Sequence, residues 1–75
     1  MNSTEISILQ TLMQSGEVRG TRNLARIVGL PNDVQHVGTC ALLLYRMNLI
    51  EIERATAAPQ PTIYRIRPEL LQVRR

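Results

Sequence analysis

The sequence predicts a single α+β domain in which three helices are followed by a two-stranded β-hairpin. Residues 1–47 contain three segments whose apolar side chains recur at helical spacing, separated by glycine-containing breaks. From residue 49 the apolar period changes to two, and two alternating segments flank a proline-containing loop, which is typical of an antiparallel hairpin. A chain of 75 residues forms one domain that buries only roughly 60% of its unfolded surface. Because so small a core is only marginally stable, we expect that a partner or a second subunit could add to the stability of the fold.

Helix 1 is predicted over about residues 3–15. Asn2 followed by Glu5 has the spacing of a capping box, in which each side chain accepts a main-chain N–H of the other residue. The apolar side chains at helical spacing are Ile6, Leu9, Leu12 and Met13. Residues 16–19 are expected to form a brief extended segment, because a single apolar residue, Val18, stands between polar ones. Val18 is expected to point into the core.

Helices 2 and 3 are predicted over about 21–28 and 31–47. Thr21 is a suitable N-cap for helix 2, and Gly29 suits the left-handed position that commonly ends a helix. Pro31 stands where helix 3 is predicted to begin, because its fixed φ suits the first helical turn. The side chains expected to point inward from helix 3 are Val34, Val37, Ala41, Leu44 and Met47.

The C-terminal third is predicted to form a hairpin over about 49–67. Its two strands are the alternating segments 49–54 and 62–67, and the loop between them contains two prolines. A short helical turn is predicted over 68–73, because Pro68 suits the first position of a helix.

Three fragments of the chain follow, in order and spacing, a pattern found in many bacterial and archaeal regulators. They are Thr21-x-x-Leu24-Ala25-x-x-x-Gly29-Leu30, Met47-Asn48-Leu49-Ile50-Glu51 and Tyr64-Arg65-Ile66-Arg67-Pro68-Glu69. The second stands where those families often place Leu-Gly-Leu-Ile-Glu, and the third resembles the Tyr-x-Leu-Thr-Pro-Glu of the MarR-like and PadR-like groups. Over essentially its whole length, the chain therefore resembles the winged helix-turn-helix superfamily, without indicating one family within it.

This resemblance implies that helix 3 enters the major groove of DNA and that the hairpin, or wing, contacts the DNA backbone. Two positions depart from the pattern. Asn48 replaces the usual glycine, which Asn can do because it tolerates left-handed φ. Leu70 replaces the glycine that usually follows Pro-Glu, so the C-terminal helix is expected to start differently.

Positive charge is concentrated in two segments. The net charge is +3, and all nine basic residues are arginines. Residues 19–30 carry three arginines and no acidic residue, and residues 51–75 carry five arginines against three glutamates. These segments contain helix 2 and the wing, the elements that would meet phosphate.

The remaining composition excludes several classes of function. A lone Cys40 forms no internal disulfide and no CxxC pair, and the chain has neither a signal-peptide pattern nor an apolar run of ~18 residues. We therefore expect a cytoplasmic protein without a membrane partner. Asp33, His36 and Cys40 lie at i, i+3 and i+7, but three ligands on one helix make a poor closed metal site. Cys40 is expected to be a small core residue, and we expect no metal, no cofactor and no enzyme activity.

A polar stripe on helix 3 is the main candidate for contacts with DNA bases. Its members, spaced i, i+3, i+4 and i+7, are Asn32, Gln35, His36 and Thr39. The alternative is an ordinary solvated face. The other candidate contacts with DNA, chiefly with phosphate, are Thr21, Arg22, Arg26, Arg46, Arg54, Arg65 and Arg67. For the wing, the alternative is cross-strand pairing of arginines with Glu51 or Glu53, which contributes only ~0.2–1 kcal/mol per pair.

Two apolar clusters have two interpretations each. Residues 40–45 are apolar on nearly all sides, so either the hairpin and C-terminal segment cover them or they include an interface. The interface residues would then be Leu42 and Leu43, in contact with a second copy or a partner. The C-terminal residues Leu70, Leu71 and Val73 either pack on helix 1 or form a dimer seam.

Taken together, these features predict a small regulator, of prokaryotic or viral type, that binds double-stranded DNA as a homodimer on an inverted repeat. No small-molecule effector is indicated. The main alternative is an adaptor or inhibitor that binds protein, favoured by the modest net charge, by the acidic Glu51 and Glu53, and by Leu42 and Leu43. A third hypothesis is a thiol or metal sensor built on Cys40.

Overall fold

The fold is α+β, as the sequence predicts. The computed structural model describes residues 1–54 and 62–71. The described elements are helices α1 (Ser3–Ser15), α2 (Thr21–Ile27), α3 (Val34–Arg46) and α4 (Pro68–Leu71) and strands β1 (Glu17–Arg19), β2 (Ile50–Glu53) and β3 (Ile63–Ile66). Within these residues, no helix has the length and apolar character needed to cross a bilayer.

Strand β3 is the centre of a three-stranded antiparallel sheet with the order β1-β3-β2. Tyr64 of β3 lies opposite Val18 of β1 on one side and opposite Ile52 of β2 on the other. The main-chain N–H of Gly20 donates to the Thr62 carbonyl oxygen at 2.6 Å, which extends the β1–β3 pairing beyond the strand. The predicted antiparallel pairing of the two C-terminal segments is confirmed, and so is the extended segment after α1. The sequence did not predict that this segment pairs with β3 and makes the sheet three-stranded.

The core is aliphatic and lies between the helices and one face of the sheet. Its buried side chains are Ile8, Leu12, Val18, Leu24, Ala25, Val37, Cys40, Ala41, Leu44, Ile50, Tyr64 and Ile66. Val18 and Cys40 thus occupy the core, as the sequence predicts. Leu70 of α4 packs against this core within the monomer, which agrees with the first of its two interpretations. The side chain of Leu71 and all of residues 72–75, including Val73, lie outside the described residues.

Helix α1 has the bounds that the sequence predicts. The Glu5 main-chain N–H donates to Asn2 Oδ1, and the Asn2 main-chain N–H donates to Glu5 Oε1, both at 2.8 Å. This capping box satisfies the carboxylate of Glu5, a buried acidic side chain. A separate contact reaches α3, where the Asn2 amide approaches Cys40 Sγ at 3.8 Å.

Thr21 is the first residue of α2 and not its cap, contrary to the sequence prediction. Gly20 occupies the cap position with φ of 89° and makes no side-chain hydrogen bond. The Thr21 hydroxyl instead forms a hydrogen bond of 2.5 Å with the hydroxyl of Tyr64, which is buried in the core. This bond joins the start of α2 to the central strand. At its other end, α2 stops at Ile27, one residue before the predicted end.

Helix α3 begins at Val34, three residues later than predicted. Gly29 adopts the expected left-handed conformation, with φ of 86°, and the Leu30 main-chain N–H returns to the Ala25 carbonyl oxygen. The Asp33 main-chain N–H then donates to the Leu30 carbonyl oxygen at 3.0 Å, so Pro31 and Asn32 form a turn. The turn after α2 includes Pro31 and Asn32, so α3 begins only after it. The presence of Pro31 suggested an earlier start because proline is also common in the first turn of a helix.

The C-terminal half of α3 is only partly covered. Cys40, Ala41 and Leu44 are buried, whereas Leu43 and Tyr45 are 41% and 47% exposed. The hypothesis that this run is covered all round is therefore wrong for these two side chains. Met47, predicted to point inward, follows the end of α3 and is 47% exposed, because Arg46 is the last helical residue. Asn48 turns the chain into β2 in the left-handed conformation, with φ of 63°.

We expect Gly38→Ala to raise the free energy of unfolding by about 0.5–1 kcal/mol, because Ala has the higher helix propensity. A methyl group at Gly38 would meet Thr21 Cγ2 at 3.5 Å, an ordinary contact. Gly29→Ala is the matched control and is expected to lower the same free energy by about 1–2 kcal/mol, because Gly29 has positive φ. Urea denaturation measures both. A destabilised Gly38→Ala variant would contradict the α2–α3 packing described above.

Tyr64→Phe is expected to lower the free energy of unfolding by about 1 kcal/mol, because it leaves the half-buried Thr21 hydroxyl without its partner. In the Tyr64→Phe variant, the further substitution Thr21→Val should lower the free energy of unfolding by less than it does in the wild type. A double-mutant cycle measured by urea denaturation gives the coupling energy, expected at about 0.5–1.5 kcal/mol. Strictly additive effects would show that this bond does not stabilise the fold.

Candidate nucleic-acid interface

An open groove of about 370 Å³ runs between α3, the start of α2 and the ends of β2 and β3. Its lining residues are Thr21, Gln35, Gly38, Thr39, Leu42, Ile52, Arg54, Thr62 and Tyr64. One wall is the outward face of α3, and the opposite wall belongs to the hairpin. The Tyr64–Thr21 hydrogen bond closes the end near α2, so the groove is held between elements that the sheet fixes in place.

The outward face of α3 carries both polar and apolar side chains. Gln35, Thr39, Leu42 and Arg46 are spaced i, i+4, i+7 and i+11, which places them on one side of the helix. Gln35, Thr39 and Arg46 are exposed, and Leu42 is half-buried. Among the described residues, Arg46 has no carboxylate within 4 Å. Within the described residues, this face therefore presents exposed polar side chains on both sides of a half-buried leucine.

The structure separates the four members of the predicted polar stripe. Gln35 and Thr39 line the groove, but Asn32 lies in the turn before α3. His36 faces α1, where its Nε2 atom is 3.2 Å from Thr4 Oγ1 and 3.7 Å from Cys40 Sγ. Asn32 is not part of the groove wall because α3 begins only at Val34. His36 is not part of it because its side chain contacts α1.

A basic depression of about 590 Å³ lies directly beside the groove, at the start of α2. Its lining residues are Arg19, Gly20, Arg22, Asn23, Arg26 and Pro31. Arg22 and Arg26 have no carboxylate within 4 Å in the part of the chain that the structure describes, although Arg26 donates to Asn23 Oδ1. Their charges are therefore available to an anion.

Arg19 is a member of this basic depression that the sequence argument missed. It lies in β1, and its Nε atom is 3.2 Å from Glu17 Oε2 in an exposed pair. The available signal was its position in the basic segment, two residues before the predicted helix 2. The pairing of β1 with β3, which holds Arg19 opposite Ile63, could not be read from that position.

Arg65 is committed to the sheet. Its Nε atom lies 3.0 Å from Glu17 Oε1, and its Nη1 atom lies 2.6 Å from Glu53 Oε1. The pair with Glu53 is the cross-strand alternative stated above, whereas Glu17 was missed because β1 was not expected to pair. Hydrogen bonds donated by Arg19 and then by Arg65 lower the pKa of Glu17, and those that Arg65 donates to Glu53 and then to Glu17 raise the pKa of Arg65.

The other two wing arginines differ in position. Arg54 follows β2, is exposed and lines the groove, without a carboxylate within 4 Å in the described ranges. Arg67 follows the opposite end of β3 and approaches Glu69 at 3.4 Å. The pKa of Glu69 is lowered, first by its own main-chain N–H and then by the charge of Arg67. Arg54 therefore belongs to the candidate interface by position, and Arg67 does not.

The described residues contain no group of three potential metal ligands. Cys40 and His36 approach each other, but Asp33 precedes the helix and is not part of this contact. Cys40 is almost fully buried, with 2% of its surface exposed, so its thiol has little access to an oxidant.

We expect the stability of the protein to fall as the pH is lowered through the depressed pKa of Glu17. A folded-state pKa below the ordinary value of 4.5 stabilises the fold above about pH 4.5, and this contribution is lost on acidification. Glu17→Gln should remove that component of the pH profile, measured by urea denaturation at several pH values.

Glu51→Gln is the matched control, because it makes the same charge change at a side chain without an ion pair in the described residues. High salt should weaken the Glu17 effect, since the groups are partly exposed. Identical profiles for Glu17→Gln and the wild type would contradict the assignment.

No protein-family model, no curated protein and no solved structure matches this chain.

Proposed function

We propose that this chain is a sequence-specific double-stranded-DNA-binding protein, a small transcriptional regulator with winged helix-turn-helix architecture. The order of α1, β1, α2, α3, β2 and β3, with β3 central in the sheet, supports that architecture. In this arrangement α2 and α3 are the helix-turn-helix, and β2 and β3 are the wing.

The observation that carries the proposal is the position of the basic depression beside the exposed face of α3. Gly20 and Arg22 line the depression, and Thr21 between them lines the groove, so the two surfaces meet at the start of α2. Arginines that bind phosphate fix the register of a protein on DNA, while polar side chains on a neighbouring helix read base edges. The proposal is supported by the neighbouring positions of the arginines of the depression and the polar side chains of α3.

The proposed interface assigns different roles to its members. Arg19, Arg22 and Arg26 bind phosphates on one side of α3, and Arg54 binds phosphate on the side of the wing. Gln35 and Thr39 face the bases. Arg46 continues the same face of α3 toward its C-terminal end. Arg65 is left out because two carboxylates already hold its guanidinium.

A homodimer on a short inverted repeat is part of this proposal. Of the candidate interface residues with described side chains, Leu43 is exposed, whereas Leu42 lines the groove and Leu70 packs on the core. Leu43 is therefore the position at which to test association. Sedimentation equilibrium should show a dimer that Leu43→Arg converts to a monomer.

A protein-binding adaptor is the second candidate, favoured by the exposed apolar side chains of Leu43 and Tyr45. The two functions are distinguished by DNA affinity. An adaptor binds random duplex DNA weakly even at low salt and loses its protein partner in the Leu43→Arg variant. A regulator binds DNA at low salt with a steep dependence on salt concentration.

Arg22→Gln is expected to weaken binding to duplex DNA and to make the slope of log affinity against log salt shallower by about 0.9, because one phosphate contact is lost. Arg67→Gln is the matched control. It makes the same charge change at the far end of β3 and should leave the slope nearly unchanged. Fluorescence anisotropy over a salt series measures both slopes.

Failure of the wild type to bind any random duplex at low salt would refute the proposed function. Equal slopes for the Arg22→Gln and Arg67→Gln variants would show that net charge, and not the basic depression, governs binding.

A further inference from the structure

We propose that the α3 face recognises thymine by its C5 methyl group, so that the DNA site contains A·T pairs opposite Thr39 and Leu42. This inference rests on the proposed function and adds the class of base that the groove accepts. It follows from the hydrogen bonding of Thr39 and from the apolar surface next to it.

Thr39 is exposed, but its hydroxyl is already engaged. The Oγ1 atom donates its hydrogen to the Gln35 carbonyl oxygen at 3.0 Å, one turn earlier in α3. A threonine hydroxyl has one hydrogen to donate, so Thr39 has none left for a base edge. What it offers an outside partner is its methyl group and the lone pairs of its oxygen.

Leu42 extends the apolar part of this surface. It lies three residues after Thr39 on the same side of α3 and is half-buried. Leu42, Ile52 and Arg54 line both the groove and an adjoining depression of about 250 Å³ that reaches Tyr45. Thr39, Leu42 and Ile52 therefore contribute apolar surface, here called the floor, to a groove that polar side chains also line.

The edges of the bases differ in how well they fit such a floor. In the major groove, cytosine presents an amino donor and guanine two acceptors, and each loses hydration without a partner against an apolar surface. Thymine presents its O4 acceptor there and beside it a C5 methyl group, which contacts alkyl side chains favourably, whereas cytosine has only a hydrogen at C5. The floor thus selects thymine over cytosine at the facing position.

Gln35 supplies the complementary preference. Its side chain is exposed and lies one helical turn before Thr39 on the groove wall. A glutamine amide forms two hydrogen bonds with N6 and N7 of adenine. In a site with an adenine next to a thymine, the adenine can therefore bind Gln35 while the thymine methyl group contacts Thr39 and Leu42.

The test uses the highest-affinity duplex recovered by selection from random DNA, synthesised with thymine or with deoxyuracil at one position at a time. Deoxyuracil lacks only the methyl group. We expect at least one position at which this replacement weakens binding about fourfold, the effect of removing one buried methyl-sized group. A cytosine and a 5-methylcytosine at that position should differ by a similar factor, which separates the methyl effect from the base pair.

Variants locate the methyl contact on the protein. Thr39→Ser keeps the hydroxyl and removes the methyl group, so it should reduce the thymine-to-deoxyuracil ratio toward one, and Leu42→Ala should do the same. Thr39→Val keeps the methyl group and should preserve the ratio. Arg22→Gln should weaken binding to both duplexes equally. Circular dichroism verifies that each variant is folded, and the wild-type ratio decides the question even where one variant is not.

The outcomes distinguish the inference from the proposed function. A wild type that binds DNA with a ratio of one at every thymine refutes the methyl contact and leaves DNA binding intact. A ratio that persists in both Thr39→Ser and Leu42→Ala refutes the assignment to α3. A wild type that binds no duplex refutes both proposals.

Discussion

Strand β3 pairs on both of its edges, and this double pairing determines where the other elements lie. Because β1 precedes α2 directly, its pairing with β3 brings the start of α2 against the C-terminal hairpin. The Gly20–Thr62 main-chain bond and the Thr21–Tyr64 hydroxyl bond then join residues far apart in sequence at one end of the sheet. With few aromatic side chains in the core, these polar bonds specify a geometry that aliphatic packing alone leaves adjustable.

The same constraint creates the candidate interface. With α2 fixed against β3, a groove lies between α3, α2 and the hairpin among residues 1–54 and 62–71, and Gln35, Thr39 and Leu42 line it. Arg19 reaches Arg22 and Arg26 because β1 ends beside the start of α2. Arg65, by contrast, binds Glu17 and Glu53 and holds the three strands together. Among the described arginines, Arg65 is therefore held by the sheet, whereas Arg22 and Arg26 have no carboxylate within 4 Å.

Local patterns in the sequence predicted local structure well. The capping box at Asn2, the left-handed turns at Gly29 and Asn48 and the buried Val18 each depend on a few neighbouring residues, and each occurs as expected. The errors arose where long-range contacts decide. Thr21 is a residue type that commonly caps helices, but its hydroxyl forms a hydrogen bond with Tyr64, which lies 43 residues later in the sequence. His36 belongs to a polar stripe by spacing, yet α1 lies beside it and removes it from the groove. Spacing cannot show which side of a helix its neighbours cover, so it gave the candidate site only in part.

The central claim is that the surface formed by α2 and the open side of α3 contacts DNA. Its most direct test is a map of main-chain amide chemical shifts, measured by NMR as a selected duplex is added to the protein. We expect the largest changes over Gly20–Arg26 and Gln35–Leu42, with small changes over the middle of α1. Large changes centred on α1 and Leu43, with the α2 amides unaffected, would contradict the claim and indicate that the groove is not where this chain meets DNA.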